Sequence, residues 1–301
     1  TNFTFSDSYG IAPSNTTLTI RYLTGGGVGS NVEANTISSV SNLNASFNQT
    51  NLATETANYI FNSLSINNPK AATGGKGGDT LEEIRQNTLS LVASQKRSVT
   101  SEDYLIRALS MPSDYGSISK AYIEKPKLTD EQISTIETLC LYVLSLNSSG
   151  QFDYAGSVLK QNLRTYLSQY RMIGDSVEIK DAYIINIAVE FEIIVLPDFN
   201  NNNVLTRCIT SLQEYFNRDD FQLNQPIFLR DLYIRLDRIE GVQTVKDIKI
   251  INKAGTTLGY SQYAYDIDGA TQNQVIYPSL DPSIFEIRYP NQDIKGRVVP
   301  L

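Results

Sequence analysis

The chain has 301 residues, a formal net charge of -7 and no histidine. That length accommodates about two domains of ~150 residues with ample core. The acidic balance argues against a nucleic-acid grip or an anionic membrane surface, both of which ask for a basic stripe. No apolar run reaches the ~18 residues that span a bilayer. Without histidine the commonest general base, metal ligand and catalytic triads are missing. The two cysteines, Cys140 and Cys208, sit at apolar positions and read as buried reduced thiols. They are too few for a zinc site and suit a reducing cytoplasm. No cofactor, metal or small-molecule substrate is expected. The chain opens at Thr1 without an initiator methionine and reads as a fragment or a processed product.

Residues 1–73 are rich in Asn, Ser and Thr and read as a β-rich part. Leu18, Ile20 and Tyr22 alternate with Thr17, Thr19 and Arg21, the period-two pattern of a half-buried strand. A glycine-rich stretch follows at 24–37. Neither it nor 74–78 has the spacing of a phosphate loop, and Lys76 is followed by glycine, so both read as turns.

Residues 74–116 read as a glycine hinge followed by a two-helix segment. Gly74, Gly75, Gly77 and Gly78 allow backbone conformations closed to other residues. Thr80 and Glu83 have capping-box spacing, and Leu81, Ile84, Thr88, Leu91 and Val92 form an apolar stripe. After a turn through Arg97, Thr100 and Asp103 cap a second helix with Tyr104, Leu105, Ala108 and Leu109 on its stripe. Pro112 stops it. The two helices are expected to fold against each other or against a sheet.

Residues 117–252 alternate between the two periods and predict an α+β sandwich with helices packed on one face of a sheet. Strands are expected over 117–124 and 137–146, with a short capped helix near 129–132. A helix over 158–170 carries Leu159, Leu163, Tyr166 and Tyr170. The clearest strand is 183–195, with Tyr183, Ile185, Ile187, Val189, Phe191, Ile193 and Val195 on one face and Asn186, Glu190 and Glu192 on the other. It would be about 40 Å long, enough to bend or to leave its own domain. Val204, Leu205, Cys208, Ile209, Leu212 and Phe216 then face inward from a helix. Phe228, Leu229, Leu232, Leu236 and Ile239 do so from a second, before Gly241 and Val242 open a last strand through Ile248 and Ile250. The acidic pair Asp219–Asp220 at a helix end reads as solvated or capping.

The extension 253–301 is rich in Tyr and Pro, including Tyr260, Tyr263, Tyr265, Tyr277 and Tyr289. It suits either docking on a neighbour or a strand pair packed on the chain's own sheet through Phe285, Ile287 and Tyr289. Asp266, Asp268 and Gly269 imitate the start of a calcium loop, without its later ligands.

The order of elements in 74–104 resembles the baseplate-J-like family, the wedge proteins of contractile, T-even-like phage tails. The matching residues are Gly77, Gly78, Asp79, Glu82, Arg85, Arg97, Thr100, Asp103 and Tyr104. A second match uses Thr24, Gly25, Gly29, Asn31, Val32, Ala34 and Ile37, and a third Ile239, Gly241 and Val242. The likeness ends near residue 252. It implies a C-terminal fragment of a structural wedge protein rather than an enzyme. Its copies would pair, join wedges into the inner ring around the tail tube with other wedge proteins, and rearrange when the sheath contracts. It implies a place in the virion baseplate, assembled in the host cytoplasm. Hinge or interface candidates are Gly74, Gly75, Gly77, Gly78, Arg85, Arg97, Tyr104, Tyr263, Tyr265 and Tyr289, with ion pairs or interface contacts expected of the two arginines. Asn- and Tyr-rich β-structure supports a second reading, a carbohydrate-binding or hydrolytic tail module.

Overall fold

A computed structural model of the chain describes residues 17, 19, 27–42, 53–75, 77, 78, 81, 84, 85, 88, 97–112, 115–124 and 138–300. Within them the fold is α+β. It is organised by one continuous stretch of extended chain in which two strands run almost end to end, β4 (Ser176–Asp181) and β5 (Tyr183–Val195). β4 belongs to one sheet and β5 to another; the strand expected at 183–195 stays within the second sheet, and the extended chain just ahead of it belongs to the first.

The first sheet is built on β2 (Thr138–Leu146). It pairs antiparallel with β1 (Lys120–Glu124) on one side. On the other side it pairs parallel with β4 and antiparallel with the short β3 (Phe152–Asp153). Two helices cover one face: α2 (Ser101–Leu109) packs on β1, and α3 (Ser157–Ser168) packs on β4 and α2. The alternation of β2 divides its side chains between two cores. Leu139, Leu141 and Val143 join Tyr104, Ala108, Leu159 and Leu163 beneath the helices, whereas Leu144 belongs to the core of the second sheet. The helix expected at 158–170 ends at Ser168.

The second sheet is built on β5. β7 (Val242–Asn252) flanks it antiparallel. Two strands of the C-terminal stretch, β10 (Ser283–Glu286) and β11 (Ile294–Val298), lie in tandem along its other edge, parallel to it. The helices α4 (Asn201–Tyr215) and α5 (Leu229–Asp237) pack on β11 and β7 respectively, on one face as the sequence predicts. Asn200 caps α4, its side chain accepting from the N–H groups of Asn202 and Asn203. Val204, Cys208, Leu212, Leu232 and Leu236 face inward, and burial pushes the Cys208 thiol up to about 11. Gly241 turns the chain from α5 into β7 at φ +99°, and a Cβ there would lie 2.7 Å from Val204 Cγ2. Three short strands, β6 (Ile227–Phe228), β8 (Thr271–Gln272) and β9 (Val275–Ile276), form a small sheet in the order β6–β9–β8.

Some side chains depart from the expected pattern. Asn186, read as outward, is fully buried, as are Ile184 and Ala188 on the same face. The first half of β5 is covered on both faces, because the first sheet and the stretch after β7 close over the face without helices. Phe228 is 44% exposed rather than inward, since it ends β6 before α5 begins. Cys140 is only half-buried, on the face of β2 away from the helices. In the N-terminal part the described residues hold a helix, α1 (Thr54–Asn62), and no strand. The strand expected at 17–23 lies outside the described residues apart from Thr17 and Thr19. The helix near 129–132, the Thr80–Glu83 cap, and Leu91 and Val92 also lie outside them.

One buried polar cluster joins the two sandwiches. Glu286, on β10, is enclosed from water. It accepts from Phe152 N–H of β3 at 2.9 Å and from the Asn186 side-chain amide of β5 at 2.8 Å. Arg288 pairs with the same carboxylate at 3.3 Å and donates to the Phe152 carbonyl at 2.8 Å. Asn186 in turn accepts from Ser261 N–H, and its carbonyl accepts from Lys253 N–H. Removing one partner of a buried pair strands the other in low dielectric and typically costs about 3–5 kcal/mol. Glu286→Ala should therefore lower the unfolding free energy by about that much in urea titration; a loss below ~1 kcal/mol would contradict the role given to this cluster.

Candidate functional site and assembly surfaces

The two glycine-rich stretches singled out in the sequence meet in space. Gly75 N–H donates to the Asn31 side-chain carbonyl at 2.8 Å, and the Asn31 amide donates to Leu146 O at the end of β2. A Cβ on Gly75 would lie 2.4 Å from Gly27 O. Around this contact the segments run side by side, with Ala72 N–H on Val32 O and Asn35 N–H on Asn68 O. The Ser148 hydroxyl and Thr73 add contacts to the turn region beside β3, through Glu33 Oε1 and Tyr154 O. The 27–37 and 67–75 segments are thereby seated on the first sandwich.

The four hinge glycines divide into two kinds. Gly74 adopts φ +96°, and an added Cβ would lie 2.8 Å from Leu159 Cδ2. With Gly75 it forms a packed junction. Gly77 and Gly78 have open space around them. Gly74 and Gly75 are thus held by neighbours, whereas the expected hinge is sterically unrestrained only at 77–78.

The helix start predicted at Thr100 forms as a full capping box. Thr100 Oγ1 accepts from Asp103 N–H, while Asp103 Oδ2 accepts from the N–H groups of Thr100 and Val99. Burial raises the Asp103 pKa, but these donors outweigh it and hold the carboxyl below its usual range. Tyr104, a hinge or interface candidate, lies inside the first core. Its hydroxyl donates to Asp175 at 2.7 Å, and burial followed by that bond pushes its pKa up to about 12. Arg107, one turn on, stacks 4.3 Å from the Tyr170 ring centroid. Arg85 and Arg97 are exposed, Arg85 on a helical residue and Arg97 beside the Ser98–Arg171 bridge.

The three C-terminal tyrosine candidates are half-buried against their own chain. Tyr263 meets Tyr183 edge-on at 4.8 Å, Tyr265 packs on Phe285, and Tyr289 packs on Tyr260. Tyr265 also donates to Tyr277 O at 2.7 Å. The calcium-like start is a turn closed on itself, with Asp266 Oδ1 accepting from Gly269 N–H.

On the sandwiches, two surfaces are open among the described residues. The helix-free face of the second half of β5 is a charged lattice. Glu192 pairs with Arg297 and Lys246, and Glu190 lies between Lys249 and Lys295 in register. The hydrogen bond from Arg297 holds the Glu192 carboxyl below its usual range. The second is an open groove of about 700 Å³ between the edge of β7 and the loop leading into β8, lined by Ile250, Ile251, Tyr265, Ile267, Thr271 and Ile276 among others. Sequence reasoning missed both this groove and the Glu286 cluster. A glutamate inside the apolar run Ile284–Ile287 was the available signal for the cluster.

No protein-family model matches the chain, and no curated protein matches it. Among solved structures it is similar to a chain of the anti-feeding prophage baseplate, determined by cryo-EM with six-fold symmetrisation. The TM-score is 0.43 at 11% identity, over 74% of this chain and 45% of that one. The chain thus spans less than half the length of that neighbour. Among the described residues no helix is long and apolar enough to cross a membrane.

Two outcomes follow from the geometry. Gly75→Ala should destabilise by about 1–3 kcal/mol, since backbone must move to admit the methyl, whereas Gly77→Ala and Gly78→Ala should change stability by less than ~1 kcal/mol. Equal losses at all three in thermal unfolding would refute the division between held and unrestrained glycines. Tyr104 carries its proton in the folded state above the unfolded value of 10.0, so its contribution is complete below pH 10 and lost as pH rises toward about 12. Tyr104→Phe should flatten the stability profile between pH 10 and 12 in alkaline denaturation; an unchanged slope would contradict it.

Proposed function

We propose that the chain is a structural part of a phage tail baseplate wedge. It associates with copies of itself, joins wedges into the inner ring around the tail tube, and rearranges on sheath contraction. The observation that carries this reading is the Asn31–Gly75 contact. It joins two stretches that resemble the baseplate-J-like family but lie some forty residues apart, and it seats them on the first sandwich. The 77–78 step then leaves that contact toward the helical residues Leu81, Ile84, Arg85 and Thr88.

The distribution of apolar side chains supports a protein that meets neighbours. Ile37, Val40, Tyr59, Leu64, Ile66, Leu81 and Ile84 are all exposed, in the segment that precedes the sandwiches. The stripe expected on the first helix is thus uncovered at Leu81 and Ile84. The described side chains of α1 are exposed apart from Ile60, which is half-buried. Exposed apolar side chains gathered in one segment suit contact with a neighbour. The two sandwiches supply a rigid body, and the preceding segment supplies the contacts.

Light scattering across the micromolar range should give dimers or larger assemblies of the purified chain. A strictly monomeric profile at high concentration would overturn the reading.

A further inference from the structure

The free edge of β7 faces the 700 Å³ groove, and its hydrogen-bonding alternation can be fixed from one bond. Lys253 N–H donates to Asn186 O at 2.8 Å. In the antiparallel ladder this turns the N–H and C=O groups of Ile251 and Lys249 toward β5, and those of Ile248, Ile250 and Asn252 outward. Ile248 N–H is taken by the Tyr233 hydroxyl at 3.1 Å. The outward N–H of Ile250 has no such partner among the described residues, although the residue is buried. The opposite wall carries Thr271, on the edge strand β8 of the small sheet. A five-residue strand, ~16 Å long, ~4.8 Å from its neighbour and ~10 Å through the sheet, occupies roughly 800 Å³. The groove is therefore about the size of one missing strand between two sheet edges.

We infer that this groove receives the 63–67 segment of a second copy of the chain, added as a strand to the edge of β7. This inference rests on the self-association proposed above. The segment has the required chemistry. Leu64 and Ile66 alternate with Ser65 and Asn67, both apolar side chains are exposed, and the backbone of residues 64–66 makes no hydrogen bond among the described residues. Charge agrees as well. Lys249 on the groove rim is paired with Asp247, which leaves a wall bearing Asp266 and Asp268. The one charged residue within 63–70 is the exposed Lys70. Strand addition of this kind draws affinity from main-chain bonds and specificity from the alternate side chains.

The test combines sedimentation equilibrium with hydrogen exchange on the full chain. Leu64→Asp and Ile251→Lys alter exposed side chains on the two partners of the contact. Each should raise the dimer dissociation constant at least tenfold. In the unaltered chain the Ile250 amide should exchange at least tenfold faster after dilution to monomer. A wild type that never dimerises removes the self-association itself. A wild type that dimerises while both variants match it, with Ile250 exchange independent of concentration, overturns this site alone. Protection of Ile250 that appears only when another baseplate protein is added assigns the edge to a different occupant and overturns the second-copy assignment.

Discussion

A carboxylate shut away from water between two sandwiches is the constraint on which the rest of the structure depends. Desolvating a charge is costly unless opposite charge and donors converge on it. Glu286 meets that demand with three partners from three places in the chain: Phe152 N–H, the Asn186 amide and the Arg288 guanidinium. Phe152 lies on β3 and Asn186 on β5, so satisfying the carboxylate fixes β10 beside β5 and β3 beside both. The apolar core is continuous across this junction, running from Leu144 and Phe152 into Ile185 and Phe285. Hydrophobic burial holds each sandwich together; the polar cluster sets how one sits on the other.

The same division separates body from contacts. Beyond residue 97 most large apolar side chains are covered by their own chain, and the Tyr-rich stretch that could have served as a docking tail is folded into the second unit through Tyr183, Tyr260 and Phe285. Ahead of it, described apolar side chains such as Leu64, Ile66, Leu81 and Ile84 face outward. A charged lattice covers part of the body, where single exposed ion pairs contribute little stability but discriminate among partners. Lys120 strengthens the body from within, its ammonium donating to Asp219 O across the two sandwiches. Burial lowers its pKa, and the charges of Asp219 and Asp220 oppose that shift.

Local signals in the sequence proved legible. The run 183–195 forms the strand expected over the same residues, and Thr100 with Asp103 builds the expected cap, because each is decided by neighbours within a few positions. What depends on distant residues was not. The alternation of β5 predicts one covered face, yet Ile184, Asn186 and Ala188 are enclosed because chain from far along the sequence closes over them. Gly74 to Gly78 reads as one hinge, and only Gly27 and Leu159, remote in sequence, reveal that its first half is packed. Phe228 fits a helical stripe by spacing but belongs to a strand end, since one turn of overlap separates the two patterns.

The central claim of the proposed function is that the two sandwiches act as one rigid body among neighbouring copies, moving about the 77–78 step. Cryo-EM of assembled tails before and after sheath contraction tests it most directly. The two sandwiches should superpose unchanged in both states, with the segment before residue 77 re-angled and in contact with adjoining copies. Rotation of one sandwich against the other across the Glu286 cluster, or no density for the chain in the baseplate, would contradict it.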